Sequence, residues 1–330
     1  MKAFQFIRAR TSTEAAEHLA DQKNARLHGG GCDLLDRMKE RVEEPDVLVS
    51  LCDAQDLGAI RIEEDGGIWI GARVTLAQLA ENDACKRFLP TLSEAAGHAA
   101  SPQLRHRATI AGNLAQHTRC GYYRHASFPC LKRGGDSCPV RAAGGVQDTA
   151  GIFGNAACAS AHPSSVAPVL GALDAEVVVR DAKGVRFVPF EDFWAQPAPG
   201  RATDTILKDG EVIEAVRLPA RDSKQFVGYA EIRQRKAFDW ALVSCAVRYE
   251  TDGDGKISTS RAWFGSLAPT PLRAAKAEAA LAGQVCTDAA AAKAGAAFLA
   301  DATPLEGTTF KVQLAKVALK RALAAARERA

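Results

Sequence analysis

Four cysteines, Cys120, Cys130, Cys138 and Cys158, crowd into one stretch of a 330-residue chain, at a spacing of Cys-x9-Cys-x7-Cys-x19-Cys. Any fold must accommodate that cluster, and three chemistries compete for it. Structural zinc favours tight ligand pairs such as CxxC. None is present, although His117, His125 and His162 lie near enough in sequence to act as substitute ligands. Disulfides belong to oxidising compartments, and the opening MKAFQFIRARTSTEAAEHLA has neither an apolar h-region nor a small-residue cleavage site. An iron–sulfur cluster needs four thiolates converging in a shielded pocket, and this spacing matches neither ferredoxin pattern. Arg119, Arg124, Lys132 and Arg133 are expected to lower the thiol pKa values and offset a cluster's negative charge. Gly134 and Gly135 let a loop fold tightly. The residues alone leave all three readings open. The other cysteines, Cys32, Cys52, Cys85, Cys245 and Cys286, stand singly among apolar neighbours and read as small buried hydrophobes.

The chain is long enough for two or three domains with real cores. A net charge of +3 is too balanced to point to nucleic acid or an anionic membrane. No run of 18 apolar residues occurs, so no spanning helix is expected. Without a visible export signal the expected compartment is the cytoplasm, or the periplasm as a passenger on a signal-bearing partner.

Residues 1–9 and DVLVSL read as strands, and TSTEAAEHLAD as a helix capped by Thr11 or Ser12 with Glu14 in its first turn. Leu34, Leu35, Met38 and Val42 share one face of a helix after residue 33. Thr75 and Gln78 form a capping-box pattern. APVLGAL reads as a buried helix, and AEVVVRDAKGVRFVPF as a hairpin turning at residues 181–184. A polar stretch at 218–225 is the expected domain boundary. Beyond it strands precede helices, which predicts an α+β module. The last helix reads as amphipathic with a solvated basic face. TDGDGK, residues 251–256, lacks the ligand spacing of a calcium loop and reads as a hairpin turn.

Two small-residue turns stand out. In HGGGCDLL, Gly29, Gly30 and Gly31 permit positive φ and close backbone approach. A helix follows at once, so its free N–H groups favour a phosphate or pyrophosphate. The GxGxxG fingerprint of doubly wound folds is absent. In ATIAGNLAQ, Thr109 and Asn113 offer hydrogen-bonding side chains and Gly112 allows close approach. Either turn alone is also compatible with a plain connection.

The order HGGGCDLL, ATIAGNL, HPSSVAPVLGAL resembles the FAD-binding medium subunits of the bacterial molybdenum hydroxylases, the xanthine dehydrogenase family. Its cysteine-rich insert resembles the branch with an additional [4Fe-4S] cluster, which includes aldehyde oxidoreductases and 4-hydroxybenzoyl-CoA reductase. MKAFQFIR and PLEGTTFKVQLAKVALKRAL extend the likeness over essentially the whole chain. The resemblance implies an α+β fold with a two-part FAD-binding domain of the vanillyl-alcohol-oxidase/PCMH type at 1–221. Its subdomains would be 1–55 and 56–221, with the insert at about 117–160. A C-terminal α+β domain of the CO dehydrogenase flavoprotein type would occupy 222–330.

It further implies Cys120, Cys130, Cys138 and Cys158 as cluster ligands. The FAD pyrophosphate would lie on Arg26, Leu27, His28, Gly29, Gly30, Gly31, Cys32, Asp33 and Leu34. Thr109, Gly112 and Asn113 would lie beside the flavin or its ribityl chain, with Ser165 and Arg235 close by. The family often has Asp where this chain has Ser165, and more often Ala and Thr at the places of His28 and Cys32. The implied partners are a molybdenum-cofactor large subunit and a [2Fe-2S] small subunit, in a heterotrimer or its dimer. An external acceptor such as a ferredoxin or a quinone-type carrier would receive the electrons. A zinc-stabilised binding module without redox activity and a stand-alone flavin oxidase are the competing functions.

Overall fold

The protein is described by a computed structural model over residues 1–220, 224–235 and 238–329. Strands β1 (Gln5–Arg8), β2 (Ala25–His28) and β3 (Val47–Ser50) form a parallel sheet of order β1-β3-β2. The helix Ser12–Asp21 links β1 to β2, and Thr11 caps it by accepting from the Glu14 N–H at 3.1 Å.

Strands β4 (Ile60–Ile62), β5 (Ile68–Gly71), β6 (Glu176–Arg180), β7 (Val185–Pro189) and β8 (Val212–Leu218) form an antiparallel sheet of order β4-β5-β8-β6-β7. Between β5 and β6 the chain leaves this sheet for the helices after residue 75 and then the cysteine segment. Thr75 and Gln78 close the expected capping box. The helix Ala167–Ala172 is buried throughout, as an apolar run between two layers should be.

A third sheet, of order β12-β11-β10-β9, holds β9 (Phe226–Arg233), β10 (Ala241–Thr251), β11 (Ile257–Gly265) and β12 (Leu272–Arg273). The helix Phe310–Glu328 packs on β9 and β10. One apolar core runs from the first sheet through the second and takes in Val227, Tyr229, Ala246 and Trp263 of the third. A second core fills the C-terminal layer. The expected join at 221/222 lies outside the described residues. Among the described residues no helix is long and apolar enough to cross a membrane.

The structure corrects several sequence expectations. The helix after residue 33 stops at Lys39, where Val42 N–H folds back to the Arg37 carbonyl and Arg41 takes φ 56°. Val42 therefore lies off the helix. ATIAGNL is a one-turn helix, Ile110–Leu114, not a turn. The helix Asp288–Leu299 gave no periodic signal, because its first two turns are nearly all alanine. Of the five lone cysteines only Cys85 and Cys245 are buried, and Cys52 is exposed. The C-terminal helix does present Lys316, Lys320, Arg321 and Arg327 to solvent, but Lys311 is buried.

Candidate functional site

Pairing of β2 with β3 ends at His28 opposite Ser50, and the chain turns out through the three glycines. Gly30 meets the second turn so closely that a Cβ there would stand 1.7 Å from the Arg107 carbonyl oxygen. Gly31 takes φ 78°, a region only glycine enters freely. Thr109 starts the helix Ile110–Leu114, its Oγ1 accepting from the Gly112 N–H at 3.1 Å.

The two turns thus press together and wall a cleft of about 210 Å³. Leu27, Gly29, Gly30, Gly31, Cys32, Asp33 and Leu34 line it from one side, and Thr109, Gly112 and Asn113 from the other. Leu207 and Ile213, distant in sequence, complete the wall; nothing in the local pattern marked them. The helix beginning at Leu34 has only six residues, so glycine backbone, more than a helix dipole, makes this cleft receptive to a phosphate.

Four of the expected residues lie outside the cleft lining. Arg26 turns to Glu43. His28 is buried, its ring edge-on to Phe6 at 5.9 Å, and burial lowers its pKa so that the neutral form prevails. Ser165 Oγ donates to Glu231 at 3.3 Å. The Arg235 side chain is 75% exposed and pairs with Asp239 at 3.2 Å.

Asp33 joins the glycine turn to the cysteine segment. Its carboxylate meets Arg37 at 3.0 Å and Arg119 at 3.2 Å, pairs closely with Arg124, and accepts from the His117 N–H at 3.2 Å. Burial alone would raise its pKa, but the three guanidinium groups outweigh it and hold the carboxyl at about 2. A second brace is the ion pair of Lys132 and Asp204, with side chains 1% and 3% exposed.

Cys120, Cys130, Cys138 and Cys158 all line one small void, together with Tyr122, Lys132 and Ser160. None of His117, His125 and His162 lines it. All nine cysteines are free. Among the described residues no group of three or more His, Cys, Asp or Glu is drawn together tightly enough for a metal ion. Of the basic residues expected to lower the thiol pKa values, Lys132 acts on Cys158, but burial outweighs it, and each of the four has another partner. Arg119 and Arg124 serve Asp33, Lys132 serves Asp204, and Arg133 donates to the carbonyls of His125 and Phe128. Burial instead pushes the Cys120 thiol up to about 11 and raises Cys158, which Lys132 only tempers.

Residues 2–221 match the family described as FAD binding domain in molybdopterin dehydrogenase, and residues 229–326 match the CO dehydrogenase flavoprotein C-terminal domain. The chain is 36% identical over 333 residues to the aldehyde oxidoreductase FAD-binding subunit PaoB of Escherichia coli, with 100% of each chain covered. It is 30% identical over 309 residues to the carbon monoxide dehydrogenase medium chain of Hydrogenophaga pseudoflava, covering 92% of this chain and 89% of that one. A solved structure of the carbon monoxide dehydrogenase from that organism matches with a TM-score of 0.77 at 28% identity, covering 99% of this chain and 98% of the other.

Proposed function

Because the chain belongs to the family of FAD-binding subunits of molybdenum hydroxylases, an oxidoreductase family, we propose that it is the electron-transfer subunit of an aldehyde-oxidoreductase-type enzyme, carrying FAD and a [4Fe-4S] cluster. The observation that carries the reading is the contact of Gly30 with Arg107. It leaves no room for a side chain and exposes backbone of both turns to one cleft. The residues that would hold the dinucleotide are Gly29, Gly30, Gly31 and Cys32 through their backbone, with Thr109, Gly112 and Asn113 opposite. The chemistry the flavin supplies there is the change from single to paired electron transfer. Asp33, paired with three arginines, holds the turn in place, and Leu207 and Ile213 give the cleft an apolar wall.

For the cluster, the support is four thiols around one void. A [4Fe-4S] cluster takes one thiolate at each of four irons, and four cysteines stand around this void. The partners of this reading are a molybdenum-cofactor large subunit and a small [2Fe-2S] subunit, with an external oxidant as terminal acceptor. The complex works in the cytoplasm, or in the periplasm if a signal-bearing partner carries it there.

The test is anaerobic mixing with an aldehyde. The reading predicts that the flavin absorption bleaches in the assembled complex and stays in the isolated chain. Bleaching in the isolated chain would make the protein a stand-alone flavin oxidase. A complex with no flavin absorption would end the reading.

A further inference from the structure

Three charged side chains line the glycine-turn cleft: Asp33, Arg37 and Arg119. They belong to one network, in which four guanidinium groups meet three carboxylates. Arg26 and Arg37 pair with Glu43. Arg37, Arg119 and Arg124 pair with Asp33, and Arg124 also reaches Asp36 at 2.7 Å. One positive charge is therefore in excess. Of the two arginines that line the cleft, Arg37 has Glu43 as well as Asp33. Arg119 reaches only Asp33, at 3.2 Å, which it shares with two other arginines, and feels Asp36 only at longer range. The uncompensated charge at the cleft is that of Arg119.

Arg119 is held where the cleft adjoins the cysteine segment, directly before Cys120 of the thiol void. Its Nη2 donates to Gln116 Oε1 at 3.0 Å, and Gln116 Nε2 donates to the Asn113 carbonyl at 2.7 Å. Its guanidinium stacks on the Trp240 ring at 4.9 Å. Its Nε is buried and has no partner among the described residues. A buried donor on an uncompensated charge is costly until a ligand completes it. Burial lowers the Arg119 pKa to about 10, which still leaves the group charged at neutral pH.

We propose that Arg119 is the cation that sets the reduction potential of the flavin. This role rests on the electron-transfer reading above and deepens it, because it names what the cysteine segment contributes to the FAD cleft besides thiols. Reduction brings two electrons from the partner's iron–sulfur clusters and one proton from solvent to a neutral ring, and leaves that ring with one negative charge. Arg119 is fixed through Gln116 on the Asn113 side of the cleft, the side given to the flavin. A guanidinium that is largely buried and already held in place attracts the new charge more strongly than one free in water. It therefore favours the reduced over the oxidised flavin and raises the potential.

The test is a spectroelectrochemical titration of the assembled complex, in which the two-electron flavin wave is resolved from the one-electron waves of the clusters. Arg119→Gln removes the charge and keeps a hydrogen-bonding group. It should retain flavin and lose about tenfold of the preference for reduced over oxidised flavin, a fall of about 30 mV for a two-electron couple. Arg119→Lys keeps the charge without the planar fork and should stay close to wild type. Trp240→Leu, at an exposed position, admits water to the guanidinium and should lower the potential by less. A purely structural Arg119 would make the two arginine variants fall together, and that result overturns the role. So does a potential left unmoved by Arg119→Gln or, where that variant does not assemble with flavin, by Trp240→Leu. A wild-type complex that holds no flavin would instead end the electron-transfer reading, and the role with it.

Discussion

A methyl group at residue 30 would collide with the Arg107 carbonyl, so Gly30→Ala must push two turns apart. The expected cost is about 1–3 kcal/mol, read as a drop in the denaturation midpoint together with loss of bound flavin from the purified complex. Unchanged flavin content would show that the contact between the turns is not what shapes the cleft. Asp33 gives a prediction in pH. Its carboxyl is held at about 2, below the ordinary 3.8. A depressed carboxyl adds stability above its unfolded pKa and loses it as pH falls through the folded one. Asp33 should therefore contribute about 2 kcal/mol at pH values above 4, fading between about 4 and 2. Asp33→Asn should be less stable than wild type at neutral pH, and the difference should shrink across that window in acid denaturation.

At the scale of elements, the buried pair of Lys132 and Asp204 fastens the cysteine segment to the loop that leads to Leu207. Burial raises the Asp204 carboxyl even with Lys132 beside it, so neither group tolerates the loss of the other. Lys132→Met should cost about 3–5 kcal/mol, and adding Asp204→Leu should recover most of it. A double variant no more stable than the single would mean that the pair contributes through something other than mutual charge compensation. Local rules were readable in the sequence wherever a short-range bond sets the element. The cap at Thr11, the capping box at Thr75 and the hairpin turn opened by Asp181 are such cases. They failed where the cause is non-local or silent. Arg41 adopts a left-handed conformation that no pattern announces, and the alanines of 288–299 carry no period.

At the scale of the whole molecule, the cleft is built from segments far apart in the chain, the thiol void from the single stretch 120–160, and the Asp33 brace joins the two. The glycine turns and the four cysteines were visible in sequence as residues. Their meeting was not, because the pairing of Asp33 with Arg119 and Arg124, and the approach of Gly30 to Arg107, are contacts only tertiary structure makes. The basic residues near the cysteines show the same limit: proximity in sequence suggested that they act on the thiols, whereas Lys132 alone tempers Cys158, three of the four pair with carboxylates and Arg133 donates to carbonyls. The most direct measurement is the iron, acid-labile sulfide, zinc and flavin content of the complex purified without oxygen, for wild type and Cys130→Ser. The account predicts flavin in both. It also predicts about four irons and their sulfide beyond what the small-subunit clusters hold in the wild type, with that excess lost in the variant. Flavin with stoichiometric zinc in place of the extra iron would contradict it and make the cysteine segment a structural clip.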